Sequence, residues 1–289
     1  VVKYPHYGIS SNGILPIFVL KKHVKKQYIF LFLIFLSLNL SAQVAGISAS
    51  KLATYDAVVI PKYTLEVEPS FTYLYSRHWF NVDSHSVPYT LSQDSSLLMK
   101  DFFMRFTYGV GKGLEMGAFI NGNLGCYSFG AKWRLLQNTK SGLVMLLGTN
   151  FSDQSNKVYR NSGFYGKTLS LAGGFAYTRN FNPRLSWDVD IQAQHTLLAG
   201  ATLSNNYFLD TEMGYYVFDH RLQLAGGFSF NYNHHFDDNM TTYRLTLNPG
   251  VTIETGKSYI LVLYFPVDVI GKSVENAYGF SLAFTLAFE

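Results

Sequence analysis

The chain has 289 residues, 48 % of them hydrophobic and 17 % aromatic against 15 % charged, yet its mean hydropathy is only +0.06. The apolar residues are therefore dispersed rather than gathered into runs, which suits alternating strands better than membrane-crossing helices. The net charge of +4 rests on Lys3, Lys21, Lys22, Lys25 and Lys26; the remaining 18 basic residues face 19 acidic ones, so nothing implies a nucleic-acid partner.

Residues 1–20 fit no domain and read as an extension ahead of a start called too early. From Lys21 a basic stretch, an apolar core over 28–40 and Ser41-Ala42-Gln43 read as a secretory signal peptide, residues 21–42, cut after Ala42. That core is short for a span of about 20 residues, and no second one follows. An exported chain without a later apolar span is periplasmic, secreted or a barrel. Residues 43–62 have no clear period and are expected to form a periplasmic lead-in. Cys126 stands alone, so no internal disulfide forms, and it lies too far from the leader to carry a lipid.

From residue 63 onward the pattern has a period of two. Leu65, Val67, Pro69, Phe71, Tyr73 and Tyr75 alternate with Glu66, Glu68, Ser70 and Thr72, as in a strand with one apolar and one polar face. Residues 101–108 repeat it, with Phe102, Met104, Phe106 and Tyr108 opposite Asp101, Arg105 and Thr107. After the glycine-rich 109–113, residues 114–121 set Leu114, Met116, Ala118 and Ile120 against Glu115, Gly117 and Asn121, which predicts a hairpin. Residues 127–135 alternate Tyr127, Phe129, Ala131 and Trp133 with Ser128, Gly130, Lys132 and Arg134, whereas 143–151 are apolar throughout and their facing is open. Further strands are predicted at 169–177, 186–194, 207–217, 222–232, 242–254 and 259–265. The 186–194 run is the cleanest, with Trp187, Val189 and Ile191 opposite Asp188, Asp190 and Gln192. Pro249, inside the 242–254 run, lacks a ladder donor and predicts a bulge.

The last run, 276–289, alternates Tyr278, Phe280, Leu282, Phe284, Leu286 and Phe288 with small residues. An apolar final strand with a penultimate aromatic suits a barrel in which the last strand pairs with the first and leaves no edge. The sum is an all-β chain: an antiparallel transmembrane β-barrel of about 12 strands over residues 63–289, each strand near the 9–11 residues that a tilted crossing needs. Connection lengths agree. Those at 109–113, 137–142, 180–184, 219–221 and 255–257 are tight, while 76–99, 152–168, 195–206, 233–240 and 266–275 are longer; only 122–125 breaks the alternation. Short turns on one rim and long loops on the other suit an outer-membrane barrel better than a Greek-key sandwich.

A Lys or Arg on the lipid face at mid-membrane costs about 2–4 kcal/mol, so the face opposite the aromatics looks inward. It carries Glu66, Glu68, Asp101, Glu115, Asp188, Asp190, Asp210, Glu212 and Glu254 against Arg105, Lys132, Arg134 and Arg244. A water-filled lumen with that lining favours cations; the alternative is that these charges pair and seal it. Tyr75, Tyr108, Trp133, Trp187 and Phe288, near strand ends, suit interfacial girdles.

The stretch Arg105-Phe106-Thr107-Tyr108-Gly109-Val110-Gly111-Lys112-Gly113-Leu114-Glu115-Met116-Gly117 resembles the hairpin of aromatic-Gly, short turn and Leu-Glu-apolar-Gly in the "MetA-pathway of phenol degradation" family of outer-membrane transporters. Leu247-Asn248-Pro249-Gly250-Val251, Tyr264-Phe265-Pro266-Val267 and Ile270-Gly271-Lys272 are similar to that family's last hairpins. The resemblance implies an outer-membrane channel for hydrophobic or aromatic compounds, with no catalytic residues.

His234-His235 with Asp237-Asp238 is the one metal-like cluster, and it lacks an ordered ligand spacing, so a solvated loop is expected. His195 with Ser204 raises the alternative of a barrel hydrolase acting on lipids, which needs the two side chains within hydrogen-bond reach. The expected function is passive passage of small solutes across a Gram-negative outer membrane, with the loops 76–99 and 152–168 as constrictions. No cofactor, metal or nucleic acid is expected. The partners are membrane lipid, the solutes and, through the final strand, the barrel-assembly machinery. A sealed structural or surface-binding barrel is the remaining alternative.

Overall fold

The computed structural model describes residues 44–49, 54–89, 96–122, 124–153, 167–198, 203–218, 221–236, 239–255 and 259–289. The extension expected at 1–20, the signal peptide at 21–42, Asp237-Asp238 and the central parts of the two expected constrictions lie outside these residues.

Its strands are β1 (Leu65–Phe80), β2 (Ser86–Pro88), β3 (Leu97–Gly111), β4 (Leu114–Asn121), β5 (Cys126–Gln137), β6 (Ser141–Asp153), β7 (Lys167–Asn180), β8 (Leu185–Leu198), β9 (Ser204–Phe218), β10 (Leu222–His235), β11 (Thr241–Glu254), β12 (Tyr259–Tyr264), β13 (Val267–Lys272) and β14 (Val274–Phe288). All pair antiparallel in one sheet, and β14 pairs with β1, so the sheet closes. β2 is a short flap on the end of β1, at Trp79↔Val87. β12 and β13 lie end to end between β11 and β14 and make one stave. The described residues thus form a twelve-stave barrel.

Closure is built from the alternation at the two ends of the fold. Leu65 pairs with Phe288 and the register runs to Phe80↔Val274, with one slip between Ser76 and His78. On the outside of this seam Phe280 stacks on Tyr73 at 5.6 Å between ring centroids, and Tyr75 meets Tyr278 edge-on at 5.7 Å. Cross-strand aromatic pairs of this kind reinforce a sheet. Around the ring Phe102, Met116, Phe129, Trp133, Phe175, Ile191 and Leu224 are exposed, the apolar band that lipid covers.

The eleventh stave departs from expectation. Residues 266–275, read as a loop, are mostly strand: β13 continues the line of β12, and only Ser273, with φ of +52°, separates it from β14. The sequence obscures this because Phe265-Pro266 interrupts the ladder. Register passes through unchanged, from Gly250↔Tyr264 to Leu247↔Val267, and Phe265 N donates to Pro249 O at 2.8 Å. Pro249 stays in register with Gly226 rather than bulging; the extra residue is in β13, Val269, where Leu245↔Ile270 is followed by Thr246↔Asp268. β13 and β14 share the single ladder pair Val267↔Tyr278. Above it the Asp268 carboxylate stands in for the backbone, accepting from Ala277 N at 2.9 Å and Thr246 Oγ1 at 2.6 Å. The expected loop at 195–206 includes the end of β8 and the start of β9, and that at 233–240 begins with the last three residues of β10.

Candidate functional site

The site lies within the lumen, and the segment read as a periplasmic lead-in occupies it. Residues 44–49 and 54–60 run across the barrel at mid-height, packed on the inner faces of its strands. The sheet makes room for them with glycine. Gly117, Gly130 and Gly148 stand opposite one another on β4, β5 and β6 and form a trench for the backbone of residues 44–46. A Cβ at Gly117 would lie 1.8 Å from Gly46 O, and one at Gly130 would lie 2.3 Å from Ala45 O. Beside the trench Val44, Ile47 and Ala57 pack against Val144, Leu146, Ala172 and Ala176 on β6 and β7, all buried. That contact explains why β6 is apolar on both faces: one meets lipid and the other meets this segment.

The rest of the attachment is polar, and nearly all of it runs from wall side chains to the segment's backbone. Glu115 Oε1 accepts from Ser48 N at 2.8 Å and from Ser48 Oγ at 2.7 Å, and its Oε2 accepts from Ile60 N at 2.8 Å. Lys132, fully buried, donates to Ser48 O, Ser48 Oγ, Asp56 Oδ1 and Val58 O at 2.7–3.1 Å. Arg105 Nη1 donates to Ile47 O at 2.8 Å, while its Nη2 is 2.5 Å from Glu68 and 3.8 Å from Glu66. Thr107 Oγ1 donates to Gly46 O at 3.0 Å.

On the opposite wall Gln192 Oε1 accepts from Val44 N at 2.7 Å, Asp190 Oδ2 from Tyr55 N at 2.8 Å, and Thr178 Oγ1 from Ala57 N at 2.8 Å. Within the segment, Tyr55 OH donates to Val44 O at 2.6 Å. Buried backbone groups require partners, and here the wall supplies them one by one. Burial pushes the Asp56 carboxyl above the ordinary carboxylate range, against the pull of the Lys132 ammonium.

The acidic wall is therefore occupied rather than open. Asp188, buried, accepts from Thr178 Oγ1 at 2.6 Å. Asp190 also takes Gln192 Nε2 at 2.6 Å. Glu254 accepts from Tyr216 OH at 2.6 Å. Glu212 and Asp210 are buried on the inner face of β9. Arg244 is 3.7 Å from Asp268. Asp101 sits opposite Thr72 towards the far end of β3, half-buried, and Arg134 is exposed at the short-turn rim against Gln137.

Among the described residues a cavity flanks the segment on each side. That on the short-turn side, about 670 Å³, is bounded by Asp56, Ile60, Lys140, Asp188 and Glu254. That on the other side, about 700 Å³, has Ile47 and Tyr55 in its floor, with Arg105, Asp210, Arg244 and Tyr264 in its walls. Three inward aromatics were hidden in the sequence. Phe103, Phe119 and Phe208 line this second cavity, and the first two stack at 4.9 Å. Each is flanked by residues as apolar as itself, so the period of two carries no sign there; only parity with Arg105, Glu115 and Asp210 assigns them inward.

The hydrolase arrangement is not formed. His195 Nδ1 meets Asn205 Oδ1 at 2.9 Å, whereas Ser204 Oγ meets Thr196 Oγ1 at 3.4 Å. His195 and Thr196 are consecutive strand residues and point to opposite faces, so the imidazole and Ser204 are on opposite sides of the sheet. His234 packs edge-on against Phe236 at 5.2 Å, and no group of three metal-ligating side chains forms among the described residues.

Comparison with known proteins places the architecture. The family model described as "Membrane bound beta barrel domain (DUF5777)" matches residues 86–266, more than half of the chain. The fold is similar to that of the COG4313 outer membrane channel from Pseudomonas putida F1, at 11 % identity and a TM-score of 0.61, covering 82 % of this chain and 100 % of that one. Looser likenesses are the Ralstonia pickettii toluene transporter TbuX (9 % identity, TM-score 0.38, covering 80 % and 90 %) and the KdgM porin (10 % identity, TM-score 0.43, covering 76 % and 99 %). No curated protein matches the sequence. A membrane-bound β-barrel, the architecture that the hairpin motifs implied, is what is found.

Proposed function

Since the chain belongs to the family of membrane-bound β-barrel domains, we propose that it is an outer-membrane channel or passive transporter for small solutes, hydrophobic or aromatic compounds among them. In this reading residues 44–49 and 54–60 close the path and their displacement opens it. The supporting observation is the pair of cavities, about 670 and 700 Å³, divided by one strip of chain. That strip is held by side-chain bonds to its backbone, not by a sheet ladder, so it can leave without breaking the barrel wall. Displacement uncovers Glu115, Asp188 and Asp190, and the opened lumen then favours cations.

The test is single-channel conductance in a planar bilayer, comparing the chain from residue 43 with one from residue 61. Small or rare steps from the first and frequent cation-selective steps from the second are expected. A folded, shortened barrel that carries no current overturns the channel reading and favours a sealed structural barrel. That second reading has its own support in Lys132 and Glu115, both wholly buried and bonded to the segment.

A further inference from the structure

The wall of the cavity on the far side of the segment carries a buried carboxylate oxygen without a hydrogen-bond partner among the described residues. Asp210 is 3 % exposed, on the inner face of β9. Ser229, directly opposite on β10, bonds to the carboxyl, but Oδ2 has no hydrogen-bond partner among the described residues. Leaving a buried carboxylate oxygen bare is costly, and such groups in native proteins are matched by a cation or a donor.

The neighbouring protein groups do not supply one. Asp190, its ladder partner on β8, is another acid, with Oδ1 and Oδ2 already taken by Gln192 and Tyr55. Arg105 is directed to Glu68 and Ile47 O, and Arg244 to Asp268. Within a lining of mostly polar side chains the cavity also carries aromatic rings: Phe208 is one inward step from Asp210, and the stacked Phe103–Phe119 pair lies on β3 and β4, across the lumen from β9. A volume of about 700 Å³ is in the usual range for a small-molecule site.

We propose that this cavity binds an organic ammonium compound, with its cationic nitrogen on Asp210 Oδ2 and its apolar body against Phe208 and the Phe103–Phe119 pair. The proposal rests on the solute-channel reading and names a solute class for it. It requires a positive charge as well as a ring-sized apolar body, because a neutral compound of the same shape leaves the carboxylate bare.

The test uses the chain from residue 43, refolded in detergent, and isothermal titration with 2-phenylethylamine and, as its neutral counterpart, 2-phenylethanol. The amine is expected to bind roughly tenfold or more tightly than the alcohol, the usual scale for one buried charge-assisted bond. Asp210→Asn should abolish that preference, Asp210→Glu should retain part of it, and Phe103→Ala should weaken both compounds. Equal binding of the two by the unaltered chain overturns the proposal without reference to any variant, and so does a preference that survives in Asp210→Asn. Binding is read on the closed protein, so it separates from conduction. Amine binding without current removes the channel and leaves the site, while current without discrimination leaves the channel and removes the site.

Discussion

Lys132 Nζ lies 3.5 Å from Glu115 Oε1, on directly opposed residues of adjacent strands, yet each makes closer bonds to Ser48 than to the other. An ion pair across one ladder rung would by itself add little beyond the strand pairing. Splayed onto a third chain segment, the same two charges become a clamp. Their desolvation is offset only while that segment is present.

Lys132→Met should therefore loosen the segment more than the barrel. Removing one partner of a buried, bonded charge costs about 3–5 kcal/mol, and here the loss falls on the bonds to Ser48, Asp56 and Val58. Hydrogen exchange should accelerate at the amides of Ser48 and Ile60 while those of β4 and β5 stay protected. Combining it with Glu115→Gln should restore part of the loss, since the two changes share one site.

Gly130→Val is the cleaner eviction. The atoms nearest a Cβ at that position, Ala45 O, Ile47 Cγ2 and Val44 Cγ1, all belong to the segment. The first clash of a side chain there is therefore with the segment. The variant should fold as a heat-modifiable barrel, expose residues 44–49 to exchange and raise conductance in the bilayer; an unchanged exchange pattern would count against the trench as a close-fitting seat.

Phe280→Arg tests the lipid face at the closing seam. Phe280 is near the middle of β14 and touches both Phe71 and Tyr73. Urea titration of the refolded protein in lipid should show a loss of about 2–4 kcal/mol, the scale for arginine at the membrane midplane.

Asp268→Ala tests the carboxylate that replaces the β13–β14 ladder. It leaves Ala277 N without a partner in a buried position, a cost of about 1–3 kcal/mol. Exchange should rise at Ala277 and its neighbours in β14, while Tyr243 to Leu245, paired on the other side, stay protected.

Much of the wall was legible because each stave obeys one simple rule, apolar towards lipid and polar inward. Trp187 to Gln192 display that rule without exception. It loses its power where both faces meet apolar matter. At β6 the inner side chains Val144 and Leu146 are as greasy as the outer ones, and that doubled hydrophobicity was the trace of an occupant. Residues 44–49 and 54–60 left no period of their own, since they are fixed by side chains elsewhere on the chain and not by repetition along their length. Residues 266–275 hide for a related reason: Pro266 has no ladder donor to offer directly after the apolar run 259–265, yet the same stave runs on through β13 to Lys272.

The occupant is also joined to the wall it blocks. Tyr63 N donates to Gly109 O and Gly109 N to Thr64 O, so the segment emerges from a point fixed on the short-turn rim, a few residues from its seat. A plug on so short a leash keeps a high effective concentration at its site whatever the surroundings hold. Its return is a first-order event, needing no encounter with a second molecule, and the lumen would reseal at the same rate in a crowded cell as in a dilute vesicle.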